Sequence, residues 1–278
     1  MIYRVDEFIE NGINPITGKE YDISWRVLIL SDSTKYHYLC GAKNGCAYTV
    51  KISRLKCTDW KLSVNDFIGF NESIGNNIIL VMSEEEYLLA RKERSRYRYN
   101  DSFLRGNEPE VLIHSTSLKN WNKIRSDGML KSWNRLKAEN VFFENQPIGT
   151  ILGDPLDFSD YIMFGGGVTG EIVVNSKQTG RIVMDINKEY LTGARLYFDA
   201  RKMATDGLII RDGCHLKVKD ILPLKPYLLW TVDWKTIGLN SPISTPKIFS
   251  ELSDKEFSKK FDKLIFQNNK FTYFFNLL

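Results

Sequence analysis

The sequence predicts an α+β fold in two parts: a small N-terminal β-domain over residues 1–105 and a mixed domain over residues 106–278. Short apolar runs separated by turns follow one another closely before residue 83, which is typical of small β-structure. Five later apolar runs occur with few helical stretches, a pattern that argues against a doubly wound parallel sheet. The stretch 101–110 contains glycine and proline and has no apolar period, so we place the domain boundary there.

The N-terminal domain is predicted to be a compact barrel or sandwich, because its candidate strands are short and closely spaced. They are rich in aromatic and β-branched residues: "WRVLIL" (25–30), "KYHYLC" (35–40), "CAYTVKI" (46–52), "DFIGF" (66–70) and "NIILVM" (77–82). The second and third runs flank turn residues and predict a hairpin.

A basic helix is predicted at the end of this domain, over residues 83–100. It starts with a serine and three glutamates and ends in arginines, as the helix dipole favours. Four arginines here, with tyrosines between them, are candidates for contact with a nucleic-acid backbone: Arg91, Arg94, Arg96 and Arg98. The alternative is a solvated linker helix, since charge runs are usually exposed faces.

The second domain mixes strands and helices. A strand at 110–117 is followed by a helix at 118–128, and the five late strands are predicted at 171–176, 181–186, 194–198, 207–212 and 215–224. The glycine-rich "FGGGVTG" (164–170) is a weak signal for a phosphate loop, and we interpret it as a mobile loop over a cleft. A capping box of Ser253 and Glu256 predicts the start of a C-terminal amphipathic helix.

Composition and charge set limits on the class of protein. The chain has 278 residues and a formal net charge of +4, which is compatible with a polyanionic partner but does not require one. The sequence shows neither a secretory pattern at its start nor a run of membrane-spanning length, so we expect a cytoplasmic protein with reduced thiols. His37, Cys40, Cys46 and Cys57 could form a zinc set, but their spacing lacks a knuckle and we expect no metal.

His114 is one of only three histidines and follows the apolar run Val111–Ile113. Ser115, Thr116 and Ser117 come directly after it, and a helix-like segment follows. This order places a polar group at the floor of a cleft in many proteins. The alternative is a capping or core histidine at the start of a helix, and the residues themselves leave both interpretations open.

A resemblance gives His114 more weight. "LIHSTSLKNWNKIRSDGMLKS" resembles the opening motif of the ADP-ribosyltransferase superfamily, and DarT-type DNA ADP-ribosyltransferases are the most similar group. The matching positions are His114, Thr116, Asn120, Ile124 and Gly128, and "DYIMF" (160–164) is similar to a later motif of those toxins. The segment 181–227 is similar both to these enzymes and to RNA 2′-phosphotransferases. The resemblance covers residues 110–228.

The resemblance implies a split β-sheet domain that uses NAD as its substrate. The residues that would bind the cofactor are His114, Ser115, Thr116, Gly128 and Tyr161. In this role His114 would hydrogen-bond a ribose hydroxyl of the adenosine half, and Tyr161 would stack on the nicotinamide ring. The resemblance also implies DNA or RNA as the acceptor and an antitoxin protein as a partner.

The chain departs from the DarT pattern at the catalytic acid. The last strand of those enzymes opens on a glutamate eight residues before a proline, and the same count back from Pro223 gives His215. The nearest acids are Asp206 and Asp212. Our catalytic candidates are His215, Arg135 and Asp212, and the candidate phosphate clamps are Arg125, Arg135, Arg181, Arg195, Arg201 and Arg211.

Three functions remain open from the sequence. The first is an NAD-dependent ADP-ribosyltransferase-like enzyme that acts on nucleic acid. The second is an RNA 2′-phosphotransferase-like enzyme that uses NAD. The third is a catalytically silent module that binds nucleotides or nucleic acid, and the missing glutamate favours the last two.

Overall fold

The computed structural model of the protein describes residues 1–36, 40–42, 45–57, 59–94, 98, 100–106, 108–141 and 147–261. Helices and several sheets are mixed in these ranges, which is compatible with the predicted α+β class. No helix in them is both long enough and apolar enough to cross a membrane.

The N-terminal part is a single open sheet with two helices. Its elements are β1 (Ile2–Val5), β2 (Trp25–Leu30), β3 (Cys40–Gly41), β4 (Tyr48–Ile52), α1 (Trp60–Ser73), β5 (Asn77–Val81) and α2 (Glu84–Arg94). The strands lie in the order β1-β5-β2-β4-β3, and all neighbours are parallel except β3 with β4. The antiparallel β3–β4 pair agrees with the predicted hairpin, although residues 37–39 of its first arm lie outside the described residues.

The predicted barrel or sandwich is wrong, and the burial of β2 explains why. All six residues of β2 are buried. Leu28 packs in a cluster with Phe67 of α1 on one face of the sheet, and Val27 packs in a cluster with Phe8 on the other. A strand covered on both faces has a continuous apolar sequence, and this is typical of parallel sheets. Close spacing of apolar runs was therefore a misleading signal for a barrel.

The run at 66–70 is the second correction in this part, because it forms the middle of α1 and not a strand. A short apolar run cannot distinguish a buried helix from a strand by periodicity alone. The helix predicted over residues 83–100 is confirmed as α2 over Glu84–Arg94, and residues 98 and 100 are not helical. Ser83 and Glu86 form a reciprocal capping box, in which each backbone N–H donates to the side chain of the other residue.

The second part begins with β6 (Val111–Thr116). It continues with α3 (Leu118–Asp127), β7 (Met129–Lys131), α4 (Trp133–Ala138), two 3-10 helices (Ile148–Leu152 and Leu156–Asp160), β8 (Tyr161–Met163), α5 (Thr169–Thr179), β9 (Tyr190–Leu191), β10 (Ala194–Asp199), α6 (Ala200–Thr205), β11 (Ile210–Asp212), β12 (His215–Lys219), β13 (Ile221–Pro223), β14 (Leu228–Val232), β15 (Ile243–Ser244) and α7 (Pro246–Phe261).

Two antiparallel three-stranded sheets organise this part, in the orders β14-β10-β6 and β11-β12-β8. The pairs β13-β7 and β15-β9 complete the pairing that the structure describes. The predicted strand at 171–176 is wrong, because these residues lie in α5, and 181–186 forms no strand. The predicted start of the last helix is also wrong, since α7 begins at Pro246 and Ser253 lies in its middle.

The segment between the two parts is held by buried ion pairs. Arg105 donates from Nη1 to both carboxylate oxygens of Asp66 on α1, at 2.9 and 2.8 Å. Arg211 on β11 is wholly buried, and its Nη2 donates to Glu108 at 2.6 Å and to the carbonyl of Phe103 at 2.9 Å. The residues that we placed at the domain boundary are therefore joined to both parts.

Replacement of Arg211 by alanine should strongly destabilise the protein. Removing one partner of a buried pair leaves an uncompensated charge, here Glu108, which costs about 3–5 kcal/mol. The control is Arg201→Ala, because Arg201 pairs with Glu110 at the surface. Urea unfolding monitored by circular dichroism checks this, and equal midpoints for the two variants would contradict it.

Candidate functional site

His114 occupies the predicted position near the end of β6, where it is half-buried. Its Nδ1 lies 3.1 Å from the carbonyl oxygen of Met163, and its ring meets that of Phe164 at a centroid distance of 6.3 Å. Because a carbonyl only accepts, Nδ1 carries the proton and Nε2 is the acceptor of the neutral ring. Among the described residues Nε2 has no hydrogen-bond partner, so it is the edge that a ligand could meet.

The environment of His114 keeps the imidazole neutral. Burial lowers its pKa to about 4; the bond to Met163 opposes this effect, and the charge of Lys177 adds to it. At neutral pH the ring is therefore a hydrogen-bonding group and not a cation. A neutral imidazole suits a sugar hydroxyl better than a bare phosphate, which favours a charged partner.

The glycine-rich stretch 164–170 runs beside His114 and into α5. The backbone N–H of Gly165 donates to the carbonyl of Ile113 at 3.0 Å, so the loop is joined to β6. The residue before α5, Val168, provides no side-chain cap, and the buried hydroxyl of Thr169 has no partner among the described residues. The N-terminal end of a helix attracts anions through its N–H groups and its dipole.

Ser115 and Thr116 lie on opposite faces of β6, because side chains alternate along a strand. Thr116 is buried on the same face as His114. Ser115 faces α5, and its hydroxyl donates to Oε1 of Glu171 at 2.5 Å. The prediction that Ser115 and Thr116 both line one site with His114 is therefore not met, because only Thr116 shares the face of His114.

Tyr161 lies on the other face of β8 from the residues near His114. Its ring meets that of Phe70 on α1 at 5.7 Å, and the Nζ of Lys217 is 4.5 Å from its centroid. Ile162 and Phe164 point instead into the main core of the second part. The structure thus directs Tyr161 towards the N-terminal part and not towards His114.

Gly128 serves as the C-cap of α3. It has a φ of 70°, a left-handed conformation that glycine adopts without steric cost, and Ser117 caps the other end of the helix. Its carbonyl accepts a hydrogen bond from the backbone N–H of Leu224 at 2.8 Å, so Gly128 serves as a turn that is bonded to the chain after β13.

His215 and Asp212 are brought together, but in a buried place. Nε2 of His215 lies 3.1 Å from the hydroxyl of Tyr48, and its ring packs edge-on against Phe158 at 5.6 Å. Asp212 accepts a hydrogen bond from Nζ of Lys217 at 2.7 Å, and both side chains are buried. These groups contact the N-terminal part and the 3-10 helix before β8.

Lys217 is the residue that the sequence analysis missed. Its Nζ lies 3.5 Å from the ring centroid of Phe70, 4.5 Å from that of Phe158 and 4.5 Å from that of Tyr161. Burial lowers its pKa, and Asp212 opposes this effect. The available signal was alternation in "HLKVK", which places Lys217 on the same face as His215 and opposite the apolar Leu216 and Val218.

The candidate arginines fall into two groups. Arg195 and Arg211 are wholly buried and paired with carboxylates, so their charges already have partners inside the protein. The others are exposed: Arg125, Arg135, Arg181 and Arg201. Arg135 donates to Glu139 at 2.8 Å from α4, which faces solvent.

The basic helix is described only in part. Arg91 is exposed, and its guanidinium lies 6.0 Å from the ring centroid of Tyr87. Arg98 is exposed, and its backbone N–H donates to Asp101. Arg96 and the side chain of Arg94 lie outside the described residues, so the predicted nucleic-acid contact stays a prediction.

The cysteine set is also described in part. Cys46 is buried and Cys57 is half-buried, and each packs against a core cluster of the N-terminal sheet. His37 and the side chain of Cys40 lie outside the described residues. In the part of the chain that the structure covers, no three metal-ligating side chains come together.

Comparison of the chain with protein-family models, curated proteins and solved structures finds no match in any of the three.

The burial of His215 predicts a specific pH dependence. Burial, with the nearby charge of Lys217, lowers its pKa to about 3, whereas an unfolded histidine titrates near 6.5. The unfolded state therefore binds more protons between these values, and stability is lost as the pH falls from about 6.5 towards 3. The loss amounts to about 1.4 kcal/mol per pH unit.

His215→Gln should remove this contribution. The unfolding free energy of the parent minus that of the variant should fall by about 1.4 kcal/mol for each pH unit between pH 6.5 and pH 4.5. Asp66 and Asp154, whose pKa values burial raises to about 7, change stability in the opposite sense but equally in both proteins. Urea titrations at several pH values check this, and parallel pH profiles would show that His215 is not buried in its neutral form.

Proposed function

We propose that the chain binds the adenosine-diphosphate half of a nucleotide beside His114 and does not transfer ADP-ribose. One observation carries this proposal: a neutral, half-buried imidazole lies on β6, the strand to which the backbone of the glycine stretch is bonded, and that stretch leads into α5, which has no side-chain cap. A ribose hydroxyl can donate to Nε2, and a diphosphate suits the N-terminal end of α5. This is the third of the functions that the sequence left open.

The residues fit only part of NAD. His114 and the glycine loop suit the ribose and the diphosphate. The nicotinamide half fits less well, because the ring that the resemblance assigns to it, Tyr161, packs against Phe70 and Lys217. We therefore expect ADP-ribose and NAD to be bound alike.

Transfer chemistry has weaker support. Stabilising positive charge on a ribose requires an anionic group at the reacting carbon. His215 holds the position that the resemblance assigns to the catalytic glutamate, and its ring is enclosed by Tyr48 and Phe158. Asp212 is paired with Lys217. ADP-ribosylation of nucleic acid and the 2′-phosphotransferase reaction are thus the weaker candidates, and they share the expected nucleotide site.

Calorimetric titration with NAD and ADP-ribose tests the proposal. We expect dissociation constants for NAD and ADP-ribose within about threefold of each other, because Tyr161 is not placed to stack on the nicotinamide ring. His114→Ala should weaken both about tenfold, as expected for one hydrogen bond of about 1.4 kcal/mol. Arg135→Ala is the control, since Arg135 lies on the solvent side of α4 and should leave binding unchanged.

The same samples, incubated with DNA and RNA and analysed by mass spectrometry, report on turnover. The proposal expects neither nicotinamide release nor a nucleic-acid adduct. An ADP-ribose adduct that His114→Ala abolishes would replace this proposal with the transferase. No binding of either nucleotide would remove both.

A further inference from the structure

A buried polar network lies directly behind the strand that presents His114. Glu171, in the first turn of α5, is wholly buried and accepts three hydrogen bonds. They come from Ser115 at 2.5 Å, from the hydroxyl of Tyr190 at 2.6 Å and from Nη1 of Arg195 at 3.2 Å. Both carboxylate oxygens therefore have partners from three different strands.

Arg195 extends this network to the C-terminal helix. Its Nε and Nη2 donate to the two carboxylate oxygens of Asp254 on α7, both at 2.9 Å. The hydroxyl of Tyr197 donates to the same carboxylate at 2.8 Å. Such a two-pronged arrangement is the geometry in which arginine binds a carboxylate most specifically.

The network sits where it can set the shape of the proposed site. Ser115 is the neighbour of His114 in the chain, and Glu171 directly follows the glycine-rich stretch 164–170. Gly170 approaches so closely that a Cβ there would lie 2.5 Å from Oγ of Ser115, which leaves no room for a larger residue. The Ser115–Glu171 bond thus fixes the first turn of α5 against β6.

The energetics of buried ion pairs indicate that this network fixes the relative positions of the elements more than it adds to stability. Burying an ion pair costs desolvation energy that its attraction barely repays, and apolar packing is often as stable. A fully satisfied buried network, in contrast, fixes one arrangement of the elements that it joins. Here those elements are β6, α5, β9, β10 and α7.

We propose that Glu171 is a positioning residue, which holds the α5 end and the glycine loop in register with His114 and couples the nucleotide cleft to α7 through Arg195 and Asp254. This inference rests on the proposed function for its ligand. It assigns α7 an indirect role, since Asp254 acts on the cleft only through Arg195 and Glu171.

The test compares Glu171→Gln with a matched control, Glu108→Gln. Glu108 is also buried and also pairs with a wholly buried arginine, Arg211, but this arginine lies on β11, in the other three-stranded sheet. Both variants should lose stability. Only Glu171→Gln should weaken ADP-ribose binding, about tenfold, and Asp254→Asn should weaken it by a smaller factor.

A second readout does not depend on the ligand. NMR titration of the His114 imidazole between pH 5 and 7 should show a ring that stays mostly neutral in the parent and in Glu108→Gln. In Glu171→Gln the ring should titrate in this range, because the packing around it loosens. Should Glu171→Gln not fold, Tyr190→Phe removes one of the three donors and takes its place in both measurements.

The outcomes separate the two proposals. Absence of nucleotide binding by the parent would end the proposed function, while a shift of the His114 titration in Glu171→Gln alone would still support positioning. Equal binding and equal His114 titration in Glu171→Gln and Glu108→Gln would overturn the inference, since Glu171 would then be one more structural charge.

Discussion

Lys217 is enclosed by three aromatic rings, from Phe70, Phe158 and Tyr161, and bonded to Asp212. A buried ammonium is costly unless it is paired, so it holds these groups where they can neutralise and solvate it. Phe70 belongs to α1 of the N-terminal part, whereas Tyr161 and Lys217 belong to β8 and β12. This arrangement holds α1 on the sheet and joins the two parts, together with the buried ion pairs of Arg105 and Arg211.

The consequence for function is that one face of the β11-β12-β8 sheet becomes a packing surface. His215 and Asp212 lie on the strands that α1 and the 3-10 helix before β8 cover, and their hydrogen bonds are made inside the protein. Among the candidate site residues that the structure describes, His114 lies on a different sheet, and its Nε2 has no described hydrogen-bond partner. We therefore propose binding rather than group transfer, because binding needs only a neutral imidazole and a helix end.

Local signals predicted the elements that depend on local interactions. The helix α3 was recognisable from Ser117 before it and Gly128 after it, and α2 from the serine and three glutamates at its start and the arginines towards its end. The strand before His114 also followed from its apolar run. Elements that depend on packing against distant residues were not recognisable. The segment "EIVVNS" has strand-like composition but lies in α5, where Glu171 accepts hydrogen bonds from Ser115 and Arg195.

The candidate site was predictable only in its first half for the same reason. That His114 lies near the end of a strand, beside hydroxyl side chains, can be predicted from one stretch of sequence. That Tyr161 faces α1 depends on Phe70, and that Lys217 is buried depends on a helix far away in the chain. The sequence offered one signal for Lys217, its position between the apolar residues Leu216 and Val218. This alternation alone does not show burial, because a solvent-facing lysine and a buried lysine have the same pattern.

Quantitative acylation of lysines in the native protein, read by mass spectrometry, tests the central claim most directly. Lys217 and Lys219 lie two residues apart on β12, one buried and the other exposed. Lys219 should be modified while Lys217 stays protected until the protein unfolds, although its lowered pKa would make an accessible amine more reactive. Modification of Lys217 at the rate of Lys219 in the folded protein would contradict the account, since the face of β12 would then be open to solvent.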